Sequence, residues 1–189
     1  MKDDLFLRGQ KIPMTKEPVR ALALSRLDLS KARLLIDVGA GTGSIAIEAA
    51  LNHPELEIIA IEKKPEALAL IKENCRHFNC PQIRVIDAYA PVELTEKADA
   101  IFVGGTGGNL TDIIDWALDH LRGDGSLVMT FILQDNLTQA IAHLKQCAVS
   151  ELDCCELQAG NMTALGHSYY FKPNNPTYLI SCRKEACCG

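Results

Sequence analysis

The sequence has few aromatic residues, no excess of positive charge and no long apolar segment. Only 5% of the 189 residues are aromatic, and 19 Lys and Arg stand against 24 Asp and Glu, a net charge of −5. A basic surface for nucleic-acid phosphates is therefore not expected. No window reaches the ~18–20 apolar residues that span a bilayer. Residues 1–4 (MKDD) do not resemble the start of a signal peptide. We expect a cytoplasmic protein with no nucleic-acid and no membrane partner.

The eight cysteines lack the spacing of a zinc site. They contain no Cys-x2-Cys pair and are accompanied by no matching pair of histidines, although structural zinc sites usually show such pairs. No metal is therefore expected. Cys75, Cys147, Cys155 and Cys182 lie among apolar residues of predicted helices and strands. A free cysteine in such a place packs as a small hydrophobic side chain.

Length and hydrophobic content fit one globular domain over residues 1–189, since 48% of the residues are hydrophobic. Apolar segments of strand length alternate with helical patterns, which is typical of a parallel sheet with helical crossovers. The predicted strands are 34–38, 57–62, 83–86, 98–103 and 126–131. The predicted helices are 17–27, 44–51, 65–79, 109–121 and 134–147.

The pattern changes after residue 148. Two strand-like segments, 151–158 and 177–182, are joined by a long loop in which no helix of normal length fits. Antiparallel neighbours need no crossover helix, so we expect an antiparallel pair at the edge of the sheet. The predicted fold is α/β and Rossmann-like: a doubly wound, mostly parallel seven-stranded sheet with an antiparallel C-terminal edge pair.

A glycine-rich motif, DVGAGTG at residues 37–43, ends the first predicted strand and precedes a helix. Glycines permit a sharp turn and a ligand held against the main chain, and nucleotide cofactors bind at the carboxyl ends of parallel strands. The third glycine, Gly43, comes one place too early for the dinucleotide pattern G-x-G-x-x-G. Asp37 suits a cofactor with an ammonium and a sulfonium group better than a pyrophosphate. These features favour S-adenosylmethionine.

Acidic residues after the second and third strands extend this prediction. Glu62 ends the second strand, 19 residues after Gly43, where a carboxylate can accept hydrogen bonds from both ribose hydroxyls. A solvated strand end is the alternative. Asp87 follows the third strand, where it lies either near an adenine or in a turn.

The loop after the fourth strand reads VGGTGGN over residues 103–109, and it lacks the (N/D)-P-P-(Y/F) motif of enzymes that methylate nucleic-acid amino groups. Methylation of a base is therefore disfavoured. Gly104 and Gly105 can bring backbone N–H groups close to a large ligand. Thr106 and Asn109 are the candidates for orienting a substrate carboxylate. An NAD(P)-dependent oxidoreductase and a non-catalytic adenosylmethionine-binding module stay open as alternatives.

The alternating region from about residue 12 to 147 resembles the class I S-adenosylmethionine-dependent methyltransferases. The resemblance becomes more specific in four segments: RG at 8–9 with IPMTKE at 12–17 and VR at 19–20, DVGAGTGSIAIEAA at 37–50, ADAIFVGGTGG at 98–108 and YFKPNNP at 170–176. Together they resemble the decarboxylating cobalt-precorrin-6B C15-methyltransferases of cobalamin biosynthesis. Another small-molecule or protein carboxyl methyltransferase is the runner-up.

The resemblance implies methylation of C15 of a cobalt-corrinoid intermediate with loss of CO2 from the ring C acetate, giving cobalt-precorrin-8. It also implies a homotetramer. The cofactor contacts that it implies are Thr15, Gly39, Ala40, Gly41, Thr42, Gly43, Glu62 and Ala90, although Tyr89 stands where the family commonly has an acid. The substrate carries many carboxylates, so cations are needed at the cleft. The candidates are Arg8, Lys11, Lys16, Arg20, His167 and Lys172.

Overall fold

The computed structural model describes residues 1–10, 12–105 and 107–186. Its first part contains five parallel strands and five α-helices, which alternate except that residues 88–97 join the third and fourth strands without a helix. The strands are β1 Leu34–Val38, β2 Glu57–Glu62, β3 Ile83–Asp87, β4 Ala98–Val103 and β5 Leu121–Phe131. The helices are α1 Glu17–Leu27, α2 Ser44–Asn52, α3 Pro65–His77, α4 Leu110–His120 and α5 Gln134–Leu144.

Four more strands follow: β6 Val149–Leu157, β7 Gly160–Leu165, β8 Ser168–Pro173 and β9 Thr177–Lys184. The large sheet has the order β3-β2-β1-β4-β5-β9-β6. Strand β9 lies antiparallel between β5 and β6, while β1 to β5 are parallel. The expected seven-stranded sheet with its antiparallel edge pair is therefore confirmed.

Alternate residues of each central strand enter two separate cores. On one face, Leu35 and Phe102 pack with α1, α2 and α3. On the other face, Ile36 and Ile101 pack with α4 and α5. Strands that are covered on both sides have little need of polar residues, which explains the continuous apolar runs of β1 and β4.

Two expectations for the chain were incomplete. Strand β5 begins at Leu121, five residues before its predicted start, and its pairing with β4 shifts register between residues 98 and 100. The segment between β6 and β9 was expected to be a loop, but it contains the hairpin of β7 and β8. Most of the hairpin residues are exposed, so the sequence carries no buried alternation to reveal them.

In the described residues, no helix has the length and apolar character needed to cross a membrane.

Candidate active site

The glycine motif forms a tight turn between β1 and α2. Gly39, Gly41 and Gly43 have φ values of 71°, 55° and 78°, in the left-handed region that favours glycine. The turn is fastened to its neighbours by main-chain hydrogen bonds. Gly39 N donates to the Ile61 carbonyl at 2.9 Å, and Gly104 N donates to the Val38 carbonyl at 2.9 Å. The carboxyl ends of β1, β2 and β4 thus lie side by side at one end of the sheet, and this end is called the edge below.

Two of these glycines leave no room for a side chain. A Cβ at Gly39 would lie 2.9 Å from the backbone N of Gly105, and one at Gly41 would lie 2.8 Å from the Pro13 carbonyl oxygen. The turn is therefore in close backbone contact with the loop after β4 on one side and with the segment before α1 on the other.

A cavity of about 170 Å³ opens at this edge. The predicted cofactor residues among its walls are Gly39, Gly41, Glu62 and Ala90, together with Gly104 and Gly105 from the loop after β4. Its apolar walls include Ile61, Ala88 and Ile113, and Tyr89 also lines it. Main-chain atoms, one carboxylate and an apolar slot are the features that a nucleoside cofactor requires.

Glu62 is held in one orientation by three backbone donors. Its Oε2 accepts a hydrogen bond from Gly41 N at 2.9 Å, and its Oε1 accepts from Lys63 N at 2.8 Å and from Lys64 N at 2.9 Å. The side chain joins the glycine turn to the start of α3. A carboxylate fixed in this way loses little conformational entropy when it accepts a ligand hydroxyl.

Asp37 does not face the cavity, contrary to the expectation that it would attract the charges of the cofactor. Its side chain is buried, and neither carboxyl oxygen has a hydrogen-bond partner in the described structure. Burial raises its pKa to about 7, and the charge of Glu62 adds a smaller contribution. Asp37 therefore carries a proton through most of the acidic range.

A second, larger cavity of about 580 Å³ adjoins the first. Pro13, Gly104 and Gly105 line both cavities. The second cavity is otherwise formed by Met14, Thr15, Lys16, Val19, Thr130, Phe131, Ile132, Leu133, Asn136, Pro173, Asn174, Asn175 and Thr177. Its wall combines apolar side chains with amides and one lysine, which is a surface suited to a large ligand with polar substituents.

Arg20 has a structural position and does not reach either cavity. Its side chain is fully buried, with Nε 2.5 Å from Glu48 Oε2. Its NH1 donates to Asp3 at 3.1 Å and to the Thr15 carbonyl at 2.5 Å. The guanidinium thus ties the segment before α1 to α2, and the prediction that Arg20 binds a substrate carboxylate is corrected.

The remaining predicted residues are placed less directly. Thr15 lies at the second cavity and not at the first. Ala40, Thr42 and Gly43 line neither cavity, and the buried hydroxyl of Thr42 has no hydrogen-bond partner among the described residues. Arg8, Asn109, His167 and Lys172 are exposed outside both cavities. Asp87 is exposed and pairs with Lys63 at 3.0 Å. Lys11 and Thr106 lie outside the described residues.

Sequence reasoning missed most of the second cavity. Asn136 follows β5, and Asn174 and Asn175 follow the hairpin. The sequence feature that could have indicated this cavity is the NNP segment at 174–176, which was used only for the family resemblance.

The comparisons with known proteins agree with this geometry. The profile of the precorrin methyltransferase domain matches residues 5–184. The chain belongs to this family. A curated relative from Salmonella typhimurium (strain LT2), named cobalt-precorrin-6B C(15)-methyltransferase (decarboxylating), is 57% identical over 185 residues, which cover 98% of this chain and 96% of the relative.

Solved structures of the precorrin methyltransferase family share the architecture. The precorrin-6Y C5,15-methyltransferase from Geobacter metallireducens superposes with a TM-score of 0.85 at 32% identity, covering 97% of this chain and 96% of the other. The structure described as precorrin 8W decarboxylase from Methanobacterium thermoautotrophicum has a TM-score of 0.87 at 26% identity, covering 96% and 98%. The fold is that of the class I methyltransferases, and the chain is a precorrin methyltransferase family member over nearly its whole length.

Proposed function

We propose that the first cavity binds S-adenosylmethionine. The main chain at Gly39 and Gly41 lies against the cofactor, Glu62 accepts hydrogen bonds from the ribose hydroxyls, and Ala90 contributes to the apolar walls around the adenine. The family and fold support this cofactor, and the cavity offers the donor and acceptor types that it needs. When bound, the cofactor supplies a methyl group on a positively charged sulfur.

The second cavity binds the methyl acceptor, a cobalt-corrinoid intermediate. The observation that carries this proposal is the wall of Pro13, Gly104 and Gly105 that the two cavities share. A donor and an acceptor on either side of it are held close together, and such positioning supplies much of the rate of a methyl transfer. Ile132 and Leu133 give apolar area for a macrocycle, since their side chains are 63% and 64% exposed.

The reaction is methylation of C15 of cobalt-precorrin-6B with decarboxylation of the ring C acetate. C15 would take the methyl group as the S–CH3 bond of the cofactor breaks, which leaves neutral S-adenosylhomocysteine. The C–C bond to the acetate carboxylate would break with loss of CO2, and its electron pair would replace the pair that the macrocycle gave to the methyl group. Lys16 lines the second cavity and is one of the cations predicted to bind substrate carboxylates. Asn136, Asn174 and Asn175 supply amide donors. Cobalt arrives with the substrate. Thr106, which lies outside the described residues, remains a candidate for orienting a carboxylate, whereas Asn109 lines neither cavity.

The first test is mass spectrometry of the product after the purified protein has been incubated with S-adenosylmethionine and cobalt-precorrin-6B. We expect a gain of one methyl group and a loss of one CO2. Omitting S-adenosylmethionine is the control. Binding of the cofactor with no change in the substrate would contradict the proposed acceptor and direct attention to other small molecules or to protein carboxyl groups.

We also propose that the protein forms a homotetramer through the hairpin of β7 and β8. The hairpin exposes Met162, Leu165, Tyr169 and Phe171, each at least 65% accessible, and exposed apolar clusters of this kind mark association surfaces. Light scattering should report four chains. We expect Phe171→Ser to shift the mass toward smaller species, whereas a monomeric wild-type protein would refute the proposal.

A further inference from the structure

Three side chains with metal-binding atoms converge between α4 and α5. Asp115 lies on α4, His143 lies in the last turn of α5, and Cys147 follows that helix. One ligand atom from each residue lies within 4.8 Å of the other two. None of the three residues lines either cavity described above, so the cluster is separate from the proposed reaction.

The end of α5 brings His143 and Cys147 to the same side. The two residues are four apart, and the helical turn continues between them: Gln146 N donates to the His143 carbonyl at 2.9 Å, and Cys147 N donates to the Leu144 carbonyl at 3.1 Å. The Cys147 thiol is 3.4 Å from the His143 carbonyl oxygen. This H-x3-C spacing differs from the Cys-x2-Cys and paired-histidine patterns, which explains why the sequence was expected to hold no metal.

Asp115 completes the cluster from the neighbouring helix. His143 Nε2 lies 2.6 Å from Asp115 Oδ1, and within the described residues Asp115 forms no other ion pair. An ion pair accounts for these two side chains alone. It does not explain why a half-buried thiol lies beside them.

The separations suit a tetrahedral ion. Zinc binds sulfur at ~2.3 Å and nitrogen or oxygen at ~2.0–2.2 Å, so its ligand atoms stand roughly 3.3–3.7 Å apart. The three ligand atoms lie within 4.8 Å of one another, and His143 Nε2 is 2.6 Å from Asp115 Oδ1. On binding, the thiol would therefore move toward the other two groups, and those two groups would separate slightly. The cluster also lies at the C-terminal end of α5, where the helix dipole favours a cation.

We propose that Asp115, His143 and Cys147 form a binding site for a divalent transition metal of the Zn²⁺ type, with water as the fourth ligand. Sulfur, imidazole and carboxylate together are typical zinc ligands. The ion replaces the thiol proton, which is released to solvent, and it links α5 to α4. Because the ion displaces the thiol proton, the apparent affinity increases with pH.

The test is a Co²⁺ and Zn²⁺ titration of the full chain in a Cys187→Ser/Cys188→Ser background, because the two adjacent C-terminal thiols can themselves bind metal. We expect one ion per chain, and with Co²⁺ a sulfur-to-metal charge-transfer band. In this background Cys147→Ser should abolish the band, and His143→Ala should weaken binding roughly 100-fold. Cys154→Ser is the matched control, since it removes an exposed thiol outside the cluster.

A second measurement uses the unaltered chain and does not depend on the folding of any variant. Alkylation of each cysteine is followed by peptide mass spectrometry with and without Zn²⁺, at a concentration that exceeds what the C-terminal thiols can hold. We expect Zn²⁺ to slow modification of Cys147 at least tenfold and to leave Cys154 unchanged. Equal rates at Cys147, or a cobalt band that persists in Cys147→Ser, would overturn the proposal.

Discussion

The two adjoining cavities are built from different kinds of atoms. Main chain and small residues dominate where Gly39, Gly41 and Gly105 meet. The second cavity is lined to a larger extent by side chains such as Lys16, Leu133 and Asn136, which come from segments before α1 and after β5. The first shape is therefore determined by backbone contacts and the second by side-chain identity.

This difference indicates how each cavity responds to substitution. The first cavity cannot adapt where Gly39 and Gly41 line it, because a Cβ added at either position collides with the backbone of another segment. A side-chain-lined pocket can be altered one group at a time without moving the sheet. We therefore expect substitutions in the first cavity to have large effects on cofactor binding. Substitutions in the second cavity should change substrate affinity in small steps.

The largest expected effect comes from Gly41→Ala. Its new Cβ would lie 2.8 Å from the Pro13 carbonyl at a φ of 55°, which should reduce S-adenosylmethionine affinity roughly 100-fold or more by calorimetry. Gly166→Ala is the matched control, because Gly166 has a φ of 61° and a Cβ added there would meet no atom within 4 Å. The control isolates the backbone strain. Equal losses of affinity in both variants would contradict the steric explanation.

Asp37→Asn tests the buried carboxyl group that precedes the glycine turn. The folded-state pKa of about 7 exceeds the ordinary value of 3.8, so the folded protein keeps a proton that the unfolded chain loses between these values. The free energy of unfolding should therefore fall by a few kcal/mol as the pH rises from about 4 to 7. Asp37→Asn should remove this fall.

The measurement for Asp37 is urea unfolding at a series of pH values, and Asp4→Asn, which removes an exposed carboxyl, serves as the control. Wild-type and Asp37→Asn curves that remained parallel from pH 4 to 7 would show that the buried carboxyl does not titrate in this range.

Glu62→Gln should have a smaller effect on the cofactor. The amide keeps one acceptor oxygen but loses the charge and one of the acceptors now used by Gly41 and Lys63. Charge-assisted hydrogen bonds are worth about 1.5–3 kcal/mol, so affinity should fall about 10–100-fold. Glu66→Gln, on the exposed side of α3, should bind the cofactor as wild type does. Unchanged binding by Glu62→Gln would place the ribose elsewhere.

The smallest effect is expected from Lys16→Ala in the second cavity. Lys16 Nζ is 3.7 Å from Asp3, so part of its charge is already engaged, and the KM for the corrinoid should rise about three- to tenfold with little change in kcat. Lys172→Ala removes a cation outside both cavities and should leave KM unchanged. The reverse ranking would move the substrate site toward the hairpin.

Much of the fold could be predicted because its signals are local. The apolar run of β1, the proline at the start of α3 and the glycines at 39–43 each act on neighbouring residues. The hairpin of β7 and β8 could not be predicted in this way. Its strands are mostly exposed and therefore lack the two-residue alternation that identifies a half-buried strand.

The roles of charged residues are also difficult to predict from local sequence. Arg20 and Lys16 are four residues apart and carry the same charge, yet Arg20 is buried against Glu48 and Lys16 lines the second cavity. Glu48 is 28 residues from Arg20 in the chain. No local pattern distinguishes a cation with such a partner from one without.

The sequence by itself determined the order of the five parallel strands and their helices and the end of the sheet at which the cofactor motif lies, because hydrophobic period and glycine conformation act over a few residues. Only the tertiary structure decided that Asp37 and Arg20 are buried and that two cavities share the wall at Gly104 and Gly105. It also brought Asp115 to His143 and Cys147. These arrangements depend on contacts between distant segments, whose partners are selected when the two faces of the sheet are covered.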